Sequence, residues 1–293
     1  MVSKVYFAFL SAAFGYLIGR LSDFPVENQK VLSELITVLV FLTIFPAMIG
    51  FRFGKIKELK AQLLLVTLLL NFVWSPAFAL MLAKIVGGKV AFSVSSAILF
   101  PCPSMNAAYV LLSGGNLEVS TAVMGLNFIL GAALYPILLS LVAGAANYEI
   151  PLNQIILSVF IVVFLPIGFG KIVSRFYQPN EKIKRDLTEI SLNALVFTIF
   201  FTKSHEIHVT EILTVFPISI TFLAATLLLS EILSKIFKLS REDHFSYVYL
   251  VAGKNNSSVI AILTLSGKYH LAVYVMIHQF LQIITLLLYS KRR

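Results

Sequence analysis

Charge is scarce in this sequence. Only 13% of its 293 residues are Asp, Glu, Lys or Arg, while 58% are hydrophobic and mean hydropathy is +0.90. A soluble globular chain carries about 25% charged residues. The shortfall excludes an ordinary cytosolic enzyme, a disordered chain and a coiled coil, and it makes lipid the main solvent. Cysteine is nearly absent: a single Cys102 excludes a disulfide framework and a Cys-rich zinc site. Catalytic signatures are missing as well. There is no H-E-x-x-H, no G-x-S-x-G and no mid-membrane Asp pair, which argues against an intramembrane protease or lipid transferase and for a protein that is not an enzyme. Lys and Arg (23) exceed Asp and Glu (14) by +9, but the basic residues lie between apolar stretches. They speak for membrane orientation and not for nucleic acid. No cofactor is expected.

What the sequence has is long uncharged runs. A bilayer core of about 30 Å needs about 20 mostly apolar residues per helix. Stretches free of Asp, Glu, Lys and Arg occur at 5–19, 35–51, 61–83, 90–117, 119–148, 150–170, 190–202 and 212–230, followed by 244–267, broken only by Lys254, and 269–290. These predict ten spans. The stretch 190–202 is short, but Glu189 and Lys203 at its ends can snorkel. Leu-rich runs such as Leu63–Leu70 do not alternate as barrel strands would. The expected fold class is therefore an all-α integral membrane protein. Lys4, the apolar run after it and the small residues Ser11, Ala12 and Ala13 look like a signal peptide. With nine more spans behind it, a first transmembrane helix is the simpler expectation.

Basic residues sort by side. Sixteen collect on one (Lys4; Arg52 to Lys60; Lys171 to Arg185; Lys235, Lys238 and Arg241; Lys291 to Arg293) and six on the other (Arg20, Lys30, Lys84, Lys89, Lys203 and Lys268). The richer side is the cytoplasmic one. A multi-pass protein of the cell membrane with both termini cytoplasmic is expected.

Ten spans divide into residues 1–148 (spans one to five) and 149–293 (spans six to ten). An odd number of spans per half forces the second to insert upside down, giving two inverted five-helix repeats. An offset of 151 supports this. It carries Gly19-Arg20 onto Gly170-Lys171, and Pro101-Cys102-Pro103-Ser104-Met105-Asn106 onto Ala252-Gly253-Lys254-Asn255-Asn256-Ser257. Each fourth span of a half thus holds a polar, helix-hostile interruption. Proline lacks an amide donor and crowds the preceding turn, and Gly and Asn are poor helix formers. In hydrocarbon, unpaired backbone groups survive only where they line a cavity or are paired by protein. Paired discontinuous helices point to a transporter site, their N-termini suited to an anion and their C-termini to a cation.

Lys254 lies about ten residues into its span, close to the midplane at about 1.5 Å per residue. A charge at that depth is costly and marks function by default. The ammonium can stand in for a coupling cation or bind an anionic substrate, and desolvation would let it couple to protons. Cys102 offers a soft sulfur ligand. Asn106, Asn255, Asn256 and Ser104 supply polar groups at the interruptions, and Asn71 and Asn127 in neighbouring spans can complete a substrate shell. Ser257, Ser258 and Ser120 offer oxygen ligands for an ion. The rival reading of each amide is interhelical glue. His278 in span ten reads as a hydrogen-bonded packing residue, and Glu118 and Glu231 as solvated heads near span ends.

These residues resemble the superfamily of the bile acid–sodium symporters and the arsenite permeases. Asn71-Phe72-Val73-Trp74-Ser75-Pro76 looks like the Asn-Trp-Val-x-x-Pro stretch of the permeases. Pro101-Cys102-x-x-Met105 with Gly115-Asn116 looks like their Pro-Cys-x-x-Met…Gly-Asp element. Ala252-Gly253-Lys254-Asn255-Asn256 looks like the Asn-containing crossover of both branches, and Phe45-Pro46 in span two fits as well. The resemblance implies discontinuous helices four and nine crossing at mid-membrane, a core domain (spans 3–5 and 8–10), a panel domain (spans 1, 2, 6 and 7) and alternating access. The chain departs from it at Ser258, where the permeases carry Glu, and around Val251, where sodium-coupled members carry Glu. Lys254 appears instead. The expected function is secondary transport of a small, anionic solute, with H+ or Na+ as the coupling ion. The alternative is efflux of arsenite or another soft oxyanion through Cys102.

Overall fold

The computed structural model describes residues 2–49, 61–101, 106–177 and 179–291. Among them every regular element is helical. The first are α1 (Val2–Arg20), α2 (Phe24–Glu27) and α3 (Gln29–Met48). Next, α4 (Ala61–Leu69) runs through a π turn at Leu70–Trp74 into α5 (Ser75–Val86). Then come α6 (Gly88–Leu99), α7 (Asn106–Ser113) and α8 (Leu117–Ala145). A second π turn, Phe160–Phe164, joins α9 (Leu152–Val159) to α10 (Leu165–Val173). The chain ends with α11 (Glu181–Thr202), α12 (Val209–Ile236), α13 (Arg241–Ala252), α14 (Asn256–Leu265) and a 3-10 turn, Tyr269–Leu271, that opens into α15 (Ala272–Ser290).

Among the described residues five stretches are long and apolar enough to cross a membrane: Ala61–Val86, Leu117–Ala145, Leu152–Val173, Thr210–Ile236 and Tyr269–Ser290. Gly88–Leu99 and Asn256–Leu265 are shorter apolar helices. The fourth and ninth uncharged runs are thus each divided, α6 ending at Leu99 before α7 starts at Asn106, and α13 ending at Ala252 before α14 starts at Asn256. Large apolar side chains stay exposed along the long helices. On α12 they are Leu213, Phe216, Ile220, Leu228, Ile232 and Ile236. A surface of that kind belongs in lipid.

Both π turns stand just before an X-Pro pair, Ser75-Pro76 and Leu165-Pro166. A proline ring crowds the turn before it and offers no N–H. A turn widened to i→i+5 accommodates it: Ser75 N–H reaches Leu70 O, and Leu165 N–H reaches Phe160 O.

The chain forms two compact units. One comprises Met1–Phe51, Pro151–Ile212 and Ser257–Met276. In it α1 lies close against α11 because Gly15 and Gly19 have no side chain: a Cβ there would stand 2.4 Å from Phe197 O and 2.5 Å from Phe201 O. Lys203, buried after α11, pairs with Glu206 and lies 4.4 Å from the centre of the Tyr269 ring.

The other unit comprises Arg52–Ile150, Leu213–Asn256 and Ile277–Arg293. Here α5 and α6 form a hairpin turned by Gly87 and Gly88 (φ +66° and +68°), a conformation that needs glycine. Helix α13 packs on α4, α7 and α8 around Leu63, Val66, Leu70, Val123, Tyr247, Leu250 and Val251. Trp74 Nε1 donates to Thr226 Oγ1 at 2.9 Å, tying the first π turn to α12.

Candidate functional site

Within this second unit the two helix breaks meet. Helix α13 ends on Gly253, whose N–H bonds Tyr249 O and whose own conformation is extended. Pro101 has no N–H with which to continue α6. Asn255 N–H donates instead to Phe100 O at 2.8 Å, and Pro101 and Lys254 form an isolated antiparallel bridge. Two side-chain amides pair the backbone that the breaks set free. Gln282 of α15 accepts from Lys254 N–H at 2.8 Å and donates to Lys254 O at 3.1 Å. Asn106, at the start of α7, donates through Nδ2 to Tyr249 O at 2.6 Å and to Gly253 O at 3.1 Å. This is how irregular backbone is tolerated away from water. On the other side, Pro101 seats against Gly131 of α8, where a Cβ would meet its ring at 2.6 Å.

Lys254 projects from the junction and is 1% exposed. Its Nζ donates to Asn71 Oδ1 at 2.7 Å and to Ser75 Oγ at 2.8 Å, and stands 5.8 Å from the centre of the Phe222 ring. Asn71 lies in the π turn and Ser75 ends it, so the widened turn presents both oxygens to the ammonium. Asn71 is itself fixed by its Nδ2 bond to Leu250 O at 3.1 Å. A buried cation is held here by neutral oxygens and an aromatic face, which offset part of its desolvation.

Around this junction several buried polar atoms have no hydrogen-bond partner: both amide atoms of Asn127, Oδ1 of Asn106 and of Asn256, the hydroxyls of Tyr109 and Tyr135, and Nε2 of His278. Each costs about 1–3 kcal/mol when left unpaired, and a bound polar solute would recover part of that. His278 Nδ1 lies 2.9 Å from Ser219 Oγ.

The structure brings together Lys254, Asn71, Asn106, Asn255 and Asn256, the last through its Nδ2 contact to Gln282 Oε1 at 3.3 Å. Asn127 is buried on α8, one turn before Gly131. Ser120 bonds Ser246 O at 2.8 Å and Asn116 O at 2.6 Å, so it joins α8 to α13. Ser257 and Ser258 lie in the first turn of α14, in the other compact unit. Cys102 and Ser104 lie outside the described residues. Sequence reasoning did not select Ser75, Gln282 or Phe222. Ser75 carried a signal, four residues after Asn71 beside a proline, and Gln282 carried another, an amide inside an apolar run. Among the described residues no cluster of three or more His, Cys, Asp or Glu could hold a metal ion.

Long apolar helices, two broken stretches meeting end to end, and an ammonium set among amides at their junction define a class: a multi-pass membrane transporter. The chain belongs to the sodium bile acid symporter family, whose sequence model matches residues 37–211. It is also similar to a Synechocystis protein named "Uncharacterized transporter slr0944", 25% identical over 299 residues that span 87% of this chain and 77% of that one.

Proposed function

We propose that the protein is a secondary transporter of a small anionic solute in which Lys254 takes the place of a coupling cation. One observation carries the reading: the Lys254 ammonium is bound by Asn71 Oδ1 and Ser75 Oγ, neutral oxygens of the kind that ligate Na+, at the junction of the broken helices. A tethered cation keeps the site positive without an ion from solution. Asn127 Nδ2, buried with no hydrogen-bond partner, is the amide donor left to orient a carboxylate or similar anion, while Oδ1 of Asn106, Asn127 and Asn256 can accept from a donor group of the solute.

In this reading the ten spans form two inverted repeats, 1–148 and 149–293, with both termini cytoplasmic. Spans 3–5 and 8–10 act as the core that carries the site, spans 1, 2, 6 and 7 act as the panel, and one domain moves against the other to alternate access. The offset of 151 between the two breaks supports the repeats, and the bias of basic residues supports the orientation.

The test is thermal unfolding of the purified protein with Na+ and with a panel of small organic anions. A ligand of the folded state raises the melting temperature by mass action. Stabilisation by an anion without Na+, saturable counterflow of that anion in proteoliposomes, and loss of both in Lys254→Ala are expected. Dependence on Na+ would overturn the tethered-cation reading.

A further inference from the structure

A second site lies where α12 ends and α13 begins, at the end of α13 away from its break. A cleft of about 690 Å³ is lined by Glu231, Ser234, Leu239, Ser240, Arg241, His244 and Phe245. It sits where the candidate span Thr210–Ile236 ends, beside Tyr289 at the end of the candidate span Tyr269–Ser290, and the ends of membrane-spanning helices are where lipid headgroups are met. Lys235, Lys238 and Lys291 lie at the same helix ends.

Hydrogen-bond direction sets what the walls can bind. Tyr289 gives its one hydroxyl proton to Glu231. Its oxygen therefore accepts from His244 Nε2, 2.7 Å away, and the neutral ring keeps Nδ1 as an acceptor. His244 is 7% exposed, and that Nδ1 has no hydrogen-bond partner. The lining residues thus carry acceptors, the half-exposed Glu231 carboxylate and the buried, unpartnered His244 Nδ1, which suit a cation bearing N–H groups. The first turn of α13 also carries donors. Arg241 lies 5.7 Å from the Phe245 ring and makes no ion pair among the described residues. Ser240, which caps α13 through Asp243 N–H at 3.1 Å, keeps its O–H to give. Guanidinium, hydroxyl and helix N-terminus together suit a phosphate.

A ligand that meets both the acceptors and the donors carries a primary ammonium beside a phosphate. We propose that the cleft seats the phosphoethanolamine headgroup of a membrane lipid, its ammonium on Glu231 and His244 Nδ1 and its phosphate on Arg241 and Ser240. Phosphatidylcholine has the phosphate but no N–H, and phosphatidylglycerol has no cation for Glu231.

The experiment is thermal unfolding of the delipidated full-length protein with phosphatidylethanolamine, phosphatidylcholine or phosphatidylglycerol of the same acyl chains, and with free phosphoethanolamine. Phosphatidylethanolamine is expected to raise the melting temperature by about 5 °C near saturation, with the other two lipids well below it. Glu231→Gln and Arg241→Gln are each expected to remove the difference between lipids. Arg241 is exposed, so its variant serves if loss of the Tyr289 bond prevents Glu231→Gln from folding. Equal stabilisation by all three lipids, or a preference that survives Arg241→Gln, overturns the proposal. A shift with free phosphoethanolamine and none with its lipid overturns the lipid as the source. Loss of solute transport has no bearing on any of these readings, so this site and the Lys254 site fail separately.

Discussion

Asn106 and Gly253 are fitted to each other with no room for one more carbon. A Cβ built on Gly253 would stand 2.3 Å from Asn106 Oδ1 and 2.4 Å from Nδ2, while that same Nδ2 holds the Gly253 carbonyl at 3.1 Å. Close approach and not backbone conformation favours glycine here, since φ at Gly253 is −84°, an ordinary value for any residue.

Gly253→Ala is accordingly expected to displace Asn106 and to cost about 1–3 kcal/mol, the usual range for overpacking. The variant should melt below the wild type and lose anion stabilisation. A melting temperature unchanged within error would show that Asn106 swings away freely.

Lys254→Ala removes the donor to Asn71 and Ser75 and exposes their oxygens to one another. A loss of about 1–3 kcal/mol is expected from the unpaired groups. Since those oxygens can ligate Na+, added Na+ should restore part of the melting temperature in the variant and leave the wild type unmoved. Titration of both proteins with NaCl against choline chloride decides it.

Gln282→Leu tests the pairing of the broken backbone. The substitution deprives both Lys254 N–H and Lys254 O of their amide partner, and about 2–4 kcal/mol should be lost. Gln282→Glu keeps an acceptor for the N–H and should fall between leucine and the wild type. Equal melting temperatures for all three would exclude the role given to this side chain.

In the other compact unit, Gly15→Leu and Gly19→Leu drive side chains into the α11 backbone at Phe197 and Phe201. Each should cost at least about 1–3 kcal/mol, whereas Phe14→Leu, on an exposed position of the same helix, should cost little. Comparing folded yield and melting temperature of the three variants checks this.

Much of the fold was legible because its signals are local. Uncharged runs report helices in lipid, and Pro101, Gly253 and the amides after it report that two of those helices break, since missing donors and weak helix propensity act within a turn. The ends of the breaks were legible to within a few residues, as α6 stopping at Leu99 and α13 at Ala252 show.

The partners were not. Lys254 meets Asn71 across 183 positions and Ser75 across 179, and Gln282 reaches back 28 to its backbone. The proline after Ser75 and its spacing from Asn71 mark it locally, but its place at the ammonium depends on a π turn that puts it beside Asn71. The cleft of Glu231, Arg241 and His244 was equally invisible, because Glu231 alone reads as a solvated head near a helix end. Sequence by itself determined that the chain is an apolar, helical membrane protein and where two of its helices must break, because solvation and backbone pairing act residue by residue. Tertiary structure alone decided which oxygens hold the ammonium, because those contacts depend on the register of helices that the sequence places far apart.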